Sequence, residues 1–189
     1  METSKAHKRR LKQGFFDLYC QGKGIDIGCN NDPIVPGIDE WEIANGDATY
    51  MHGVAPGTYD FVYTSHLLEH LNDPVTAIRN WWAILKEGGY LILFVPHREL
   101  YDRKDYLDDR APTDIWAHKM FFLPDRSELP ATQGLLELVN RALGSERREF
   151  CYMAMCDEGW TPSFKDGGPS GEYSIELVIK KGQRPRFRD

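Results

Sequence analysis

A short apolar run over residues 24–27 stops at a glycine, Gly28, and runs of the same kind recur over residues 59–64 and 90–95. Between the last two lies a segment of helical period, with Val75, Ile78, Trp81, Trp82 and Leu85 on one face. Strand, helix and strand in alternation is the pattern of a sheet covered by helices. A continuously apolar run such as 90–95 suits a parallel strand buried on both faces. This alternation restricts the chain to an α/β domain with a mostly parallel sheet. The helix is punctuated. Asp73 can cap it, and Pro74 suits the first helical position, where a missing N–H costs nothing. Gly88 and Gly89 are expected to end it and turn the chain into the strand that Pro96 closes.

The last third is less regular. Residues 127–143 can hold a helix with Leu135, Leu138, Val139 and Leu143 on its apolar face. Residues 148–156 and 172–180 read as two strands joined by a long Gly/Pro-containing loop, 157–171. Such strands can pair antiparallel at one edge of the sheet. A chain of 189 residues is expected to form one domain, 1–189, with a basic segment at 1–20 and a substrate-side lid over 97–130.

Charge narrows the partners. A net charge of -6 argues against nucleic acid, which calls for a concentrated basic surface. The basic residues gather at the ends: Lys5, Lys8, Arg9, Arg10 and Lys12, then Lys180, Lys181, Arg184, Arg186 and Arg188. Charge runs of this kind are expected to be solvated tails. No apolar run approaches the roughly 20 residues that cross a bilayer, and no apolar stretch follows the basic start as in a secretory signal. A cytoplasmic protein is therefore expected. Cys20, Cys29, Cys151 and Cys156 make no metal pattern and read as reduced, mostly core-filling thiols.

The strongest local signal runs from Gly24 to Pro33. A strand ending in glycine lets a ligand approach the backbone, because no Cβ intervenes. Asp26, inside that strand, can orient the loop or accept a hydrogen bond from a cationic ligand. Two further segments follow in order: Gly46-Asp47-Ala48, and a strand-to-helix stretch with Ser65, His66, Glu69, His70 and Leu71. Residues 85–93 then make a helix–turn–strand unit around Gly88 and Gly89.

These segments together, over about residues 24–101, resemble the class I S-adenosylmethionine-dependent methyltransferases, above all a small group with a strand–Ser-His-x-x-Glu-His-Leu segment. The resemblance implies a Rossmann-like, mostly parallel seven-stranded sheet with an antiparallel C-terminal edge and helices on both faces. It implies S-adenosylmethionine as cofactor. Asp26, Gly28, Cys29 and Asn30 then correspond to the loop beneath the methionine part, and Asp47 to the acid that holds the adenine amino group, with Ala48 beside the ring. Ser65 and His66 correspond to the segment that closes over the cofactor. Two departures stand out. Asn30 replaces the usual second glycine, and only residues 33–45 lie where the family fits a helix and a strand. The acid for the ribose hydroxyls is Glu42 or, second, Asp39.

The candidate base for an acceptor proton is His118, in an aromatic segment with Trp116, and behind it His97, at the carboxyl end of the strand closed by Pro96. Either can instead be a structural histidine under an aromatic lid that includes Tyr101 and Tyr106. His66 and His70 lie one helical turn apart, a spacing that could hold a metal, but no third ligand is evident. The implied reaction moves a methyl group to an oxygen or nitrogen of a small polar acceptor, for instance a sugar or glycolipid hydroxyl. The alternatives are a non-catalytic binding module and an NAD-dependent oxidoreductase, whose GxGxxG fingerprint is missing.

Overall fold

The structure is a computed structural model that describes residues 1–101, 121–127, 132–161 and 169–183. Its main sheet contains β1 (Gly24–Ile27), β2 (Asp39–Trp41), β3 (Tyr59–Ser65), β4 (Leu85–Pro96), β7 (Arg148–Cys156) and β8 (Ser174–Lys181). Their spatial order is β2-β1-β3-β4-β8-β7. The first four are parallel, while β8 runs antiparallel to both β4 and β7. A small parallel pair, β5 (Phe121–Leu123) and β6 (Thr132–Gly134), lies apart and joins the main sheet's end through a bridge between His97 and Phe122.

Alternation along each strand divides the core in two. Ile25, Ile27, Val62, Leu91, Leu93, Leu177 and Ile179 face α3 (Pro74–Ile84) and α5 (Leu135–Leu143). Phe61, Tyr63, Ile92, Phe94 and Val178 face the other way, toward α1 (Glu2–Lys12) and α2 (Phe15–Tyr19). Helices therefore cover both faces, as the resemblance implies. Side chains of successive strand residues point oppositely, so each central strand supplies both cores at once.

Asp73 caps α3 as expected, accepting from Thr76 N at 3.0 Å, with Pro74 at its start. The helix stops at Ile84, earlier than the glycine pair. Its last carbonyls are taken by outside donors: Gly57 N on Ala83 O, Thr58 N on Ile84 O, and Lys181 Nζ on Trp82 O at 2.6 Å. Leu85 is already in β4, opposite Tyr59. Gly89 instead permits a close approach, since a Cβ there would stand 2.7 Å from Asp60 O. The C-terminal helix is confined to Leu135–Leu143, because the residues before it form β6. The loop-joined strands fall at 148–156 and 174–181, paired antiparallel as expected.

The strand count needs correction. Among the described residues the main sheet has six strands rather than seven. β2 has three residues, and residues 46–58 form turns in place of an outer strand, with amides of Tyr50 and Met51 both folding back on Asp47 O. That stretch holds three glycines and a proline but no alternating apolar run to make a strand.

The N-terminal basic group is not a solvated tail either. Arg10 is 0% exposed and donates to Glu176 Oε1 at 2.7 Å and to Tyr63 Oη at 2.9 Å. Arg9 bonds Glu172 and reaches Glu176 Oε2 at 2.7 Å. At the other end Lys181 caps α3, and Lys180 lies over the Tyr90 ring. Arg184, Arg186 and Arg188 lie outside the described residues. All four cysteines are free, and Cys20, Cys29 and Cys156 are buried. No helix among the described residues is long and apolar enough to cross a membrane.

Removing one partner of a buried ion pair strands the other in a low-dielectric core. Arg10→Met should therefore lower unfolding free energy by about 3 kcal/mol, the low end for such a loss because Arg9 still reaches Glu176. Urea unfolding followed by circular dichroism measures it. Lys12→Met, at an exposed pair 3.5 Å from Glu158, should change stability by less than about 0.5 kcal/mol.

Candidate cofactor and active site

The parallel strands β1 to β4 all end at one edge of the sheet, and antiparallel β8 begins there. In open α/β sheets ligands bind in the crevice outside those carboxyl ends. The loop leaving β1 turns sharply, with Gly28, Asn30 and Asn31 at φ 75°, 48° and 62°. Asparagine is among the few side chains that accept this left-handed region. Asn30 thus does what the missing glycine would do, and the departure is conservative in backbone terms.

Asp26 orients this loop. Its Oδ2 accepts from Ile34 N at 2.9 Å, while Oδ1 is buried with no hydrogen-bond partner among the described residues. Burial pushes its carboxyl up to about 8, against the Ile34 hydrogen bond and Arg10, which act to lower it. Cys29 is buried with Sγ 3.2 Å from Glu40, and burial pushes its thiol up to about 12, so it stays protonated. The helix α1 closes over the loop from above: Ser4 N donates to Asp32 Oδ2 at 2.9 Å, and Ser4 Oγ bonds Asp32 Oδ1.

The two candidate ribose acids separate cleanly. Glu42 follows β2 at the crevice and accepts from Asn30 N at 2.7 Å, clasping the β1 loop to the β2 turn. Asp39 sits at the start of β2, opposite Ile25, bonded to Tyr59 Oη at 2.9 Å and 3.3 Å from Lys23 Nζ. The next turn is anchored from below. Trp41 Nε1 donates to Gly46 O, Trp81 Nε1 to Ala48 O and Asn80 Nδ2 to Thr49 O. Asp47 is exposed on top of it and folds the turn through Thr49 N at 2.7 Å, with Ala48 half-buried beside it. Ile43, passed over in the sequence, is 95% exposed between Glu42 and this turn.

Past β3, Ser65 Oγ is buried without a hydrogen-bond partner among the described residues. His66 has φ 50°, its Nε2 lies 2.7 Å from Ser174 Oγ and its Nδ1 3.5 Å from Glu69 Oε1. His70 is exposed, 3.9 Å from the same Glu69 oxygen. His97 is 2% exposed; its Nδ1 accepts from Glu99 N at 3.2 Å, so Nε2 carries the proton. Burial holds its pKa below the ordinary imidazole value. Its ring is a neutral donor that caps α4 (Arg98–Tyr101). His118, Tyr106 and Trp116 lie outside the described residues, as does much of the expected lid over 97–130. Tyr173 and Ser174 join the site although they are distant in sequence. Their signal was the antiparallel strand itself, whose first residues must sit with the last residues of its parallel neighbours.

A groove of about 790 Å³ between α3, α5 and β8 lies at the opposite edge of the sheet. Two cations in it are committed to helix ends, Arg79 to Ala142 O and Lys181 to Trp82 O and Leu85 O. The crevice at the carboxyl edge is the better candidate.

Residues 10–130, well over half of the chain, match the sequence profile of a methyltransferase domain. The chain belongs to the methyltransferase-domain family. Comparison with curated sequences finds no match. Solved structures share the fold at low identity. A SAM-dependent methyltransferase from Thermotoga maritima is 19% identical with a TM-score of 0.58, over 96% of this chain and 92% of its own. One from Archaeoglobus fulgidus is 14% identical with a TM-score of 0.54, over 95% and 94%. A Haloferax volcanii protein described as a methyltransferase, solved with the activator Trm112, is 10% identical with a TM-score of 0.56, over 99% and 97%.

The crevice of this methyltransferase-domain chain also fits S-adenosylmethionine, the cofactor that the resemblance implies. Two buried polar atoms without a hydrogen-bond partner among the described residues, Asp26 Oδ1 and Ser65 Oγ, flank the end of β1. They are an acceptor and a hydroxyl, suited to an ammonium and a carboxylate.

The raised Asp26 carboxyl has a consequence for stability. Unfolded, the group loses its proton near 3.8; folded, near 8. Between these values the folded methyltransferase holds the extra proton, so stability falls as pH rises from about 4 to about 8. Asp26→Asn, which keeps an acceptor for Ile34 N, should flatten that slope and be more stable than the wild type at pH 8. Urea midpoints at pH 4.5 and 8 measure it.

Proposed function

We propose that this methyltransferase alkylates an oxygen or nitrogen of a small polar acceptor, of which a sugar or glycolipid hydroxyl is the leading class. The observation that carries this reading is the wall of the crevice beside the cofactor loop. There Tyr173 packs edge-on against both His66 and Tyr101, with ring centroids 5.3 Å apart in each pair. Aromatic faces bordered by histidines and a serine suit the alternately apolar and hydroxylated surface of a sugar. The net charge of -6 supports a small acceptor over nucleic acid.

Bound S-adenosylmethionine supplies a methyl group already activated on a sulfonium, so the chain has mainly to position and desolvate. Asp26 Oδ1 and Ser65 Oγ hold the amino-acid end over the Gly28–Cys29–Asn30 backbone. Glu42 takes the ribose hydroxyls, Asp47 and Ala48 the base, and exposed Ile43 covers a face of it. His97, a neutral donor, orients the acceptor, and His118 stays a candidate base.

Calorimetric titration should show micromolar binding of S-adenosylmethionine and none of NAD. Glu42→Ala should weaken binding about 10-fold or more, the worth of a hydrogen bond to a charged group. At pH 7 binding should also release a proton, because an ammonium at Asp26 favours the ionised carboxylate. Enthalpies in buffers of different ionisation heat read that release, and Asp26→Asn should abolish it. A labelled-methyl screen over neutral hexosides, glycolipids and small amines tests the acceptor. The amines include histamine, which the description of the Thermotoga protein names. Transfer to protein or RNA alone would refute the small-acceptor reading.

A further inference from the structure

We propose that His66, oriented by Glu69, is the base that takes the acceptor's proton during methyl transfer. This rests on the small-acceptor reading above and assigns its chemistry to a residue that the resemblance implies only as a cofactor contact.

Geometry separates the backbone of residue 66 from its ring. The strand β3 pairs with β1 so that Thr64 lies opposite Ile27, which puts the next residues level with Gly28 and the cofactor loop. At His66 the chain enters the left-handed region at φ 50°, and its N–H is bonded to Phe94 O at 2.8 Å. This turn swings the imidazole away from β1 and across the ends of β4 and β8. There it meets Phe94, Tyr173 and Ser174. The ring therefore sits beside the cofactor loop but faces the wall assigned to the acceptor. A non-glycine residue in this backbone region costs free energy and persists where surroundings impose it, often at active sites.

The two ring nitrogens have different partners. Nδ1 is 3.5 Å from Glu69 Oε1, and the Glu69 side chain is 0% exposed. Nε2 is 2.7 Å from Ser174 Oγ. A carboxylate at Nδ1 favours the tautomer with the proton there, leaving the Nε2 lone pair as acceptor. The Ser174 hydroxyl donates to that lone pair and holds the ring until an acceptor hydroxyl takes its place. His97 has the reverse tautomer, Nε2–H, and is a donor. Of His66 and His97, the two described histidines placed at the crevice, His66 is the one whose geometry offers a lone pair.

The step balances. The acceptor oxygen forms its bond to the methyl carbon as the methyl–sulfur bond breaks and leaves its electron pair on sulfur. The O–H proton passes to His66 Nε2, and the resulting imidazolium is stabilised by the Glu69 carboxylate. Solvent later removes that proton. Among the described residues, the polar groups facing the ring include Glu69 and His70 from the turn Leu68–His70, and Tyr173 and Ser174 from β8. From α1, Lys5 lies over the Tyr173 ring, 4.7 Å from its centre. Burial, with Glu2 nearby, pushes the Tyr173 phenol up, so Tyr173 stays neutral in the working range.

The test uses the full chain bound to S-adenosylhomocysteine and two variants. Asn tolerates left-handed backbone, so His66→Asn keeps the turn; Glu69→Gln keeps the shape but removes the charge. Nuclear magnetic resonance of the imidazole protons should show His66 gaining its second proton at lower pH in Glu69→Gln than in the wild type. An unchanged midpoint, or a ring that never titrates, would overturn the inference. Methyl transfer to neutral hexosides should fall at least about 100-fold in His66→Asn, the usual worth of a general base. In the wild type the hexoside rate should rise with pH up to the His66 midpoint and level off above it, and His66→Asn should lose that limb. A limb that persists in His66→Asn would make His66 structural, and retained transfer to hexosides would remove it as base. Failure of the wild type to bind S-adenosylhomocysteine or to methylate hexosides would instead strike the reading above, and the titration would still decide the His66–Glu69 pair.

Discussion

The Arg10–Glu176 ion pair ties the N-terminal helix to the antiparallel half of the sheet, and the crevice is assembled around that tie. Both side chains are 0% exposed, which in isolation would be prohibitive. The cost is met by saturation. Arg10 also donates to Tyr63 Oη and Thr3 O and lies over the Phe94 ring, while Arg9 satisfies the second Glu176 oxygen. Arg9 also grips Glu172, just before β8. With α1 so placed, Ser4 reaches Asp32 in the cofactor loop and Lys5 covers Tyr173. One helix thereby braces both the loop proposed for the cofactor and the wall proposed for the acceptor.

The methyltransferase builds the β2 side of its crevice from very little chain. A three-residue β2 and a turn over residues 46–49 stand where a longer domain would spend further helix and strand. Hydrogen bonds from Trp41, Trp81 and Asn80 to the carbonyls of that turn replace the missing ladder. The Glu42 clasp on Asn30 then fixes the loop against the turn. Small structures of this kind lean on side-chain to backbone bonds because unpaired buried carbonyls and amides are costly.

Environment, rather than residue type, divides the work among the histidines. His97 is buried with an amide on Nδ1 and is a neutral donor; His66 has a carboxylate on that nitrogen and a hydroxyl on the other. Spacing in the sequence could not distinguish them, because each partner is set by where a neighbouring backbone or strand happens to lie. The same holds for Arg10. As text it belongs to a basic run that resembles a tail, and only the position of Glu176, 166 residues away, turns it into core.

The sequence by itself determined the alternation of strand and helix, the Asp73–Pro74 start of α3, the antiparallel ending and the family, because each rests on local period, capping or a contiguous motif. It also contained the solution to its own irregularity at Asn30, since only a few side chains accept left-handed backbone. Tertiary structure decided the number of strands, the early end of α3, the different places of Glu42 and Asp39, and the partners of His66. Those depend on donors and carboxylates brought in from distant strands: Lys181 onto the end of α3, Asn30 onto Glu42, Ser174 onto His66. Local period carries no record of such contacts, because they exist only once the sheet has set which strand lies beside which.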